Sequence, residues 1–239
     1  TLSLHDALPI YISAVFAELM SRFLCQKCRH GLVPITSPLC TRCGSMFKSR
    51  EGGDHLCAAC IEETSGIRKA RAPGVYCGTL METIHAFKYK KKIQLARPLG
   101  DFLFLFYWFN WEGDEPDLIL PVPLHARRMR KRGFNQAYLM IRHWPELFKE
   151  NGLSDHGFRV GREALIRTRE TRPQVGLGRK ERRKNMRNAF RIPEPSSVSG
   201  KRVLLVDDVY TTGSTVEECT RLLLKSGADR ADVITLARV

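Results

Sequence analysis

No run in the chain reaches the roughly 18 consecutive apolar residues that a membrane-crossing helix requires. The longest apolar stretch, Phe102 to Phe109, is short and aromatic, the composition of a buried helix. The N-terminus lacks the basic region and small-residue cleavage site of a secretory signal. Low-complexity tracts and internal repeats are also missing, apart from three Cys-x-x-Cys pairs. These absences argue against a membrane-spanning, secreted or fibrous chain, and the expected location is a reducing cytoplasm. Paired cysteines there point to metal ligation before disulfides. The segment Thr1–Ile10 resembles translated sequencing-adapter sequence, so the chain is expected to be truncated and those residues non-native.

What is present is a globular composition with 43% hydrophobic residues and a net charge of +14. The charge is concentrated. Residues 121 to 191 hold 19 Lys/Arg against 6 Asp/Glu, a field that favours polyanions such as nucleic acid or multiply phosphorylated small molecules.

Organisation follows from local pattern. An N-terminal segment, 1–24, contains a short amphipathic helix over 11–24. A cysteine module spans 25–61, and a polar linker covers 62–72. A larger domain occupies 73–239. Within it, 80–91 and 95–108 read as helices, 118–122 as a strand closed by proline, and 127–142 as a basic helix with Gly133 a point of interruption. A short strand is expected at 164–166 and a basic helix at 179–189. Arg202 to Val206 reads as a strand buried on both faces, Asp207 to Ser214 as a loop, Thr215 to Ser226 as a helix, and Asp232 to Leu236 as the next strand. Strands alternating with helices predict an α/β fold on a parallel sheet.

The chemistry is densest after Val206. Ligands of open α/β sheets bind beyond the carboxyl ends of strands. There the sequence runs Asp207-Asp208-Val209-Tyr210-Thr211-Thr212-Gly213-Ser214-Thr215 and enters a helix. Small residues, hydroxyls and a helix N-terminus suit a phosphate. Two carboxylates beside a phosphate suit vicinal sugar hydroxyls. Asp207 and Asp208 are therefore expected on a ribose, and the loop to Thr215 on its 5-phosphate.

The cysteine pairs are Cys25/Cys28, Cys40/Cys43 and Cys57/Cys60. A tetrahedral zinc site takes two pairs. Three pairs make one site and leave a half-site, and two arrangements stay open: Cys40, Cys43, Cys57 and Cys60, or Cys25 and Cys28 with Cys40 and Cys43. A structural role for the zinc is expected, since no open coordination position or neighbouring base is evident. Cys77 and Cys219 read as small buried apolar residues.

With these motifs the chain resembles the type I phosphoribosyltransferases, and more closely the ComF family. The resemblance runs from about Cys25 to Val239. It rests on Ile84-His85-Ala86-Phe87-Lys88, Pro121-Val122-Pro123-Leu124, Arg132-Gly133-Phe134-Asn135-Gln136, Thr171-Arg172-Pro173-Gln174, the basic run Arg179–Asn185 and the Asp-Asp loop. It implies a type I phosphoribosyltransferase fold, a parallel sheet with a hood, behind a double zinc ribbon whose fourth cysteine pair would fall within Thr1–Leu24, which has no Cys, so that sequential pairing leaves Cys25 and Cys28 over. It implies phosphoribosyl pyrophosphate as ligand, Mg²⁺ held largely through ligand oxygens, and Pro121, Val122 and Pro123 near the pyrophosphate. Lys88 is placed near the site, and Arg132 is a candidate to face the ligand. Arg167 to Asn188 is expected to form a flap carrying Arg169, Arg172, Gln174, Arg182 and Arg183, and His85 to be a structural hydrogen-bonder. Three functions are in view: phosphoribosyl transfer, single-stranded DNA binding alongside competence-machinery proteins, and ligand sensing without turnover.

Overall fold

The structure is a computed structural model that describes residues 4–49, 51–63, 65–151, 159–171 and 179–239. Six described strands form one parallel sheet: β1 (Ile67–Arg71), β2 (Gly74–Val75), β3 (Leu118–Pro121), β4 (Arg159–Val160), β7 (Arg202–Tyr210) and β8 (Arg230–Arg238). The order runs β1-β8-β7-β3-β4, with β2 extending the β8 edge beyond β1. A separate antiparallel pair joins β5 (Ile166–Arg167) to β6 (Phe190–Arg191).

Side chains alternate across a strand with a period of two. In the central strands both sets are apolar. Ile119, Leu204, Val206, Ile234 and Leu236 enter one core, and Leu118, Leu120, Val203, Leu205 and Val233 enter the other. A parallel sheet buried on both faces needs helices on both sides. The first face carries α1 (Leu4–Leu19), α4 (Gly78–Tyr89), α5 (Ala96–Trp111), α7 (Gln136–Ile141) and α8 (Trp144–Glu150). The second is covered by α10 (Ser214–Lys225), through Val216, Cys219 and Leu223, and by Met186 of α9 (Arg179–Met186). Two further short helices, α2 (Gln26–Arg29) and α3 (Ala58–Glu62), lie in the cysteine module. Phe102 to Phe106 do form a largely buried helix, as the apolar run predicts; Phe16 of α1 meets Phe102 edge-on at 5.2 Å. Among the described residues no helix is long and apolar enough to cross a membrane.

Four local expectations change. The helix expected at 11–24 begins earlier and ends earlier, at Leu4–Leu19. The supposed linker 62–72 holds β1, a strand of the main sheet. Its polar sequence is accommodated because Ile67 and Ala70 face inward while Arg68 reaches out to bond Asp232 at 2.9 Å and Asp114 at 2.6 Å. The basic stretch 127–142 is two helices, α6 (Ala126–Arg132) and α7, parted where Gly133 adopts φ +86°. Finally, Asp207 to Tyr210, expected as loop, continue β7, because Asp207, Val209 and Tyr210 stay in register with Thr235, Ala237 and Arg238 of β8.

Candidate ligand site and metal centre

The extended β7 carries both carboxylates on the strand itself. Adjacent strand residues face opposite ways, so the two are inequivalent. Asp208 is 4% exposed. Its Oδ1 lies 2.7 Å from Lys88 Nζ of α4, and its Oδ2 accepts a 2.7 Å hydrogen bond from Gln136 Nε2 of α7. Burial alone would lower the Lys88 pKa, but the Asp208 carboxylate outweighs it and the net direction is up. Asp207 keeps part of its surface in solvent, and its Oδ1 accepts the Asp208 N–H at 2.9 Å. Burial pushes its carboxyl up to about 7, with the Asp208 charge adding; Lys88, the Asp208 N–H and Arg167 oppose the shift. Dense packing around the oxygens therefore governs Asp207 despite its partial exposure.

The motif Arg132 to Gln136 resolves into separate tasks. Gly133 closes α6, its N–H donating to Met129 O at 2.7 Å. Phe134 stacks on Phe87 at 5.4 Å, which locks α4, and so Lys88, against this turn. Asn135 caps α7 through Tyr138 N at 3.2 Å and donates to Val122 O at 3.0 Å. Gln136 holds Asp208, and Arg132 donates to Gln136 Oε1. Arg132 thus reaches Asp208 through Gln136. Pro121, Val122 and Pro123 close β3 alongside β7, where Val122 N donates to Val206 O at 2.8 Å. His85 bonds the Tyr76 hydroxyl at 2.8 Å.

After Tyr210 the chain turns through Thr211 and Thr212 to Gly213, whose φ of +79° places it before α10. Thr212 and Ser214 hydroxyls share a 2.9 Å hydrogen bond at this helix N-terminus. Of the expected flap, Arg169 is tied to backbone, donating to Asn185 O at 2.7 Å and Arg187 O at 2.8 Å. Arg167 bonds Thr171 and lies over Phe190, and burial draws its pKa down to about 10. Arg172 and Gln174, and the Arg183 side chain, lie outside the described residues.

Cys40, Cys43, Cys57 and Cys60 bring their sulfurs within 4.8 Å of one another. Cys25 and Cys28 stand outside that group, so of the two arrangements the sequence left open, the one joining Cys40 and Cys43 to Cys57 and Cys60 is realised. Tetrahedral zinc with Zn–S near 2.3 Å implies sulfur–sulfur edges of about 3.8 Å; Cys43 and Cys57 sulfurs are 3.8 Å apart. The N–H groups of Cys43 and Cys57 each donate to Cys40 Sγ at 3.4 Å. Burial raises the Cys40 pKa, yet the N–H groups of Cys57, Cys43 and Arg42, with the Cys43 thiol, bring it down to about 6, favouring the thiolate that zinc requires. The donor set fits structural zinc.

This module is stitched to the sheet edge by backbone. Ala70 N donates to Arg42 O at 2.7 Å and Val75 N to Val33 O at 2.8 Å. Between it and the β7–α10 turn lies a cleft of about 200 Å³, lined by Arg42, Cys43, Cys60, Thr211, Thr212 and Arg238 among others. Sequence reasoning missed Arg238 altogether. It sits 195 residues from its partner Cys43, and no local pattern marks such a contact.

A parallel sheet with a carboxylate-bearing strand end and a helix-opening turn, joined to a four-cysteine knuckle, defines a phosphoribosyltransferase-type protein with a zinc ribbon. Two family models agree: a phosphoribosyl transferase domain matches residues 164–239, and a double zinc ribbon domain matches residues 18–61. Competence protein F of Haemophilus influenzae is 31% identical over 233 residues, 90% of this chain and 97% of that protein. DNA utilization protein YhgH of Escherichia coli K12 is 33% identical over 207 residues, 84% of each chain. Competence protein ComFC of Bacillus subtilis is 26% identical over 212 residues, 85% of this chain and 79% of that protein. The chain belongs to the ComF family.

Proposed function

We propose that the β7–α10 turn binds phosphoribosyl pyrophosphate with Mg²⁺ and that the chain serves DNA uptake or use. The observation that carries the ligand reading is the pairing of Asp207, partly open at the strand end, with the turn Thr211–Ser214 at the N-terminus of α10. Asp207 and Asp208 serve the ribose hydroxyls, with Asp208 aimed by Lys88 and Gln136. Backbone N–H groups and hydroxyls from Thr211 to Thr215, with the helix N-terminus, serve the 5-phosphate. The turn at Pro121 to Pro123 adjoins the pyrophosphate. Mg²⁺ would be held largely through ligand oxygens beside Asp207 and Asp208, and would supply neutralisation of the ligand's negative charge. Arg167, on the flap side, adds positive potential toward Asp207.

The DNA link rests on the relatives named for competence and DNA utilization, and on the basic stretch 121–191, where Arg127, Arg130 and Lys131 are exposed on α6. Single-stranded DNA bound there would be released steeply as salt rises. Competence-machinery proteins are the expected partners, in the cytoplasm. Transfer and sensing share one site and differ in turnover; pyrophosphate release with candidate acceptors separates them.

The test is calorimetry of phosphoribosyl pyrophosphate with Mg²⁺ against wild type, Asp207→Asn and Thr212→Val. Mg²⁺-dependent binding by wild type, weakened about tenfold or more in each variant, is expected. Absence of heat with wild type, or equal affinity in all three proteins, overturns the assignment.

A further inference from the structure

Arg238 ends β8 directly across from Tyr210 of β7. Its guanidinium lies 4.3 Å over the Tyr210 ring, and its Nη2 donates to the Cys43 sulfur at 3.4 Å. Among the described residues its buried Nε and Nη1 meet no hydrogen-bond partner, so the sulfur and the ring are the contacts that hold the fork. Tyr210 is itself buried, and its ring presses on the turn: a Cβ on Gly213 would stand 2.8 Å from Tyr210 Cζ. A continuous set of contacts therefore runs from a sulfur of the metal site, through one arginine and one tyrosine, to the glycine that opens α10. The cleft beside it is lined by Cys43, Arg238, Thr211 and Thr212 together.

From this geometry we propose that Arg238 couples the metal site to the phosphate turn, so that zinc in the ribbon and a phosphorylated ligand at the turn each tighten the other. The inference rests on the ligand reading above. With the site loaded, the Cys43 sulfur would be held in one place. That fixes the guanidinium fork, which holds the Tyr210 ring against Gly213 and sets the turn in the shape the ligand needs. Ordering done by the metal is ordering the ligand no longer has to supply. Arg238 is thus a positioning residue, acting through Tyr210. Linkage requires the effect to be reciprocal: the factor by which zinc raises ligand affinity equals the factor by which ligand raises zinc affinity.

The experiment titrates phosphoribosyl pyrophosphate with Mg²⁺ into the whole chain, zinc-loaded and zinc-stripped, for wild type and Arg238→Met. Zinc affinity is measured in parallel by competition with a chromophoric chelator, with and without the ligand. Amide exchange of Thr211 to Ser214 reports the turn directly. Wild type is expected to show about a fivefold or larger gain in ligand affinity with zinc, the same gain in zinc affinity with ligand, and zinc-dependent protection of the turn. Arg238→Met should still bind both, with the coupling factor falling to within about twofold of unity. Ligand binding by wild type that ignores zinc overturns the coupling while leaving the ligand site intact. Equal coupling in wild type and Arg238→Met, as general melting of the ribbon would give, overturns the Arg238 route. No ligand binding by zinc-loaded wild type overturns the ligand reading and the coupling with it.

Discussion

Replacing Lys88 by Met should damage the fold far more than an ordinary surface lysine would, because it strands a buried carboxylate. The Lys88 and Asp208 side chains are 14% and 6% exposed and meet at 2.7 Å. At an effective dielectric of 20, charges at that separation attract by about 6 kcal/mol before desolvation is counted. Removing one member of such a pair typically costs about 3–5 kcal/mol, because the surviving charge keeps its desolvation penalty. Gln136 still donates to Asp208 and holds the loss toward the lower figure. For a chain of this size the midpoint of thermal unfolding should fall by on the order of 10 °C. The companion variant Lys88→Met/Asp208→Asn removes the stranded charge while keeping an acceptor for Gln136, and should recover most of the loss. Urea and thermal unfolding, without ligand, measure both. A Lys88→Met loss below about 1 kcal/mol, the range of an exposed pair, would refute the argument. So would a double variant no more stable than the single one.

Three further outcomes are expected. Asp207 has its pKa raised in the folded state from 3.8 to about 7, so the folded protein binds the proton more tightly and stability falls as pH rises through that window. Asp207→Asn should therefore match wild type near pH 4 and exceed it by about 1–4 kcal/mol above pH 7; unfolding at a series of pH values checks the sign. Gly213→Ala should lose about 2 kcal/mol or more in urea unfolding, since the residue sits at φ +79° and the new methyl meets the buried Tyr210 ring. Cys40→Ser should release the zinc of the four-cysteine site, whereas Cys25→Ser should retain it, as read by elemental analysis of the purified proteins.

Much of this protein is written locally. The run from Arg202 to Val206 is apolar at every position inward from its first residue and rich in valine, the pattern of a strand buried on both faces. The cysteine spacings marked a metal site built from two of three pairs. The Asp-Asp and Thr-Thr-Gly-Ser-Thr sequence set its chemistry beside a strand end, because hydroxyls, small residues and a helix start are adjacent along the chain. Gly133 announced the break between α6 and α7 because one left-handed residue suffices to end a helix.

Other features depended on contacts that sequence neighbours do not share. The strand Ile67–Arg71 reads as polar linker until Asp232 and Asp114 are placed opposite Arg68. The two aspartates look alike in sequence; packing buries Asp208 between Lys88 and Gln136, drawn from two helices, and leaves Asp207 partly open. The choice of cysteines, and the contact of Arg238 with both Cys43 and Tyr210, likewise arise from the docking of the ribbon on the sheet edge. Local sequence sets which elements form and what chemistry they carry, since backbone preference and periodicity act over a few residues. Only the folded chain decides which charges are desolvated and which groups meet, because burial and partnership belong to pairs of distant segments.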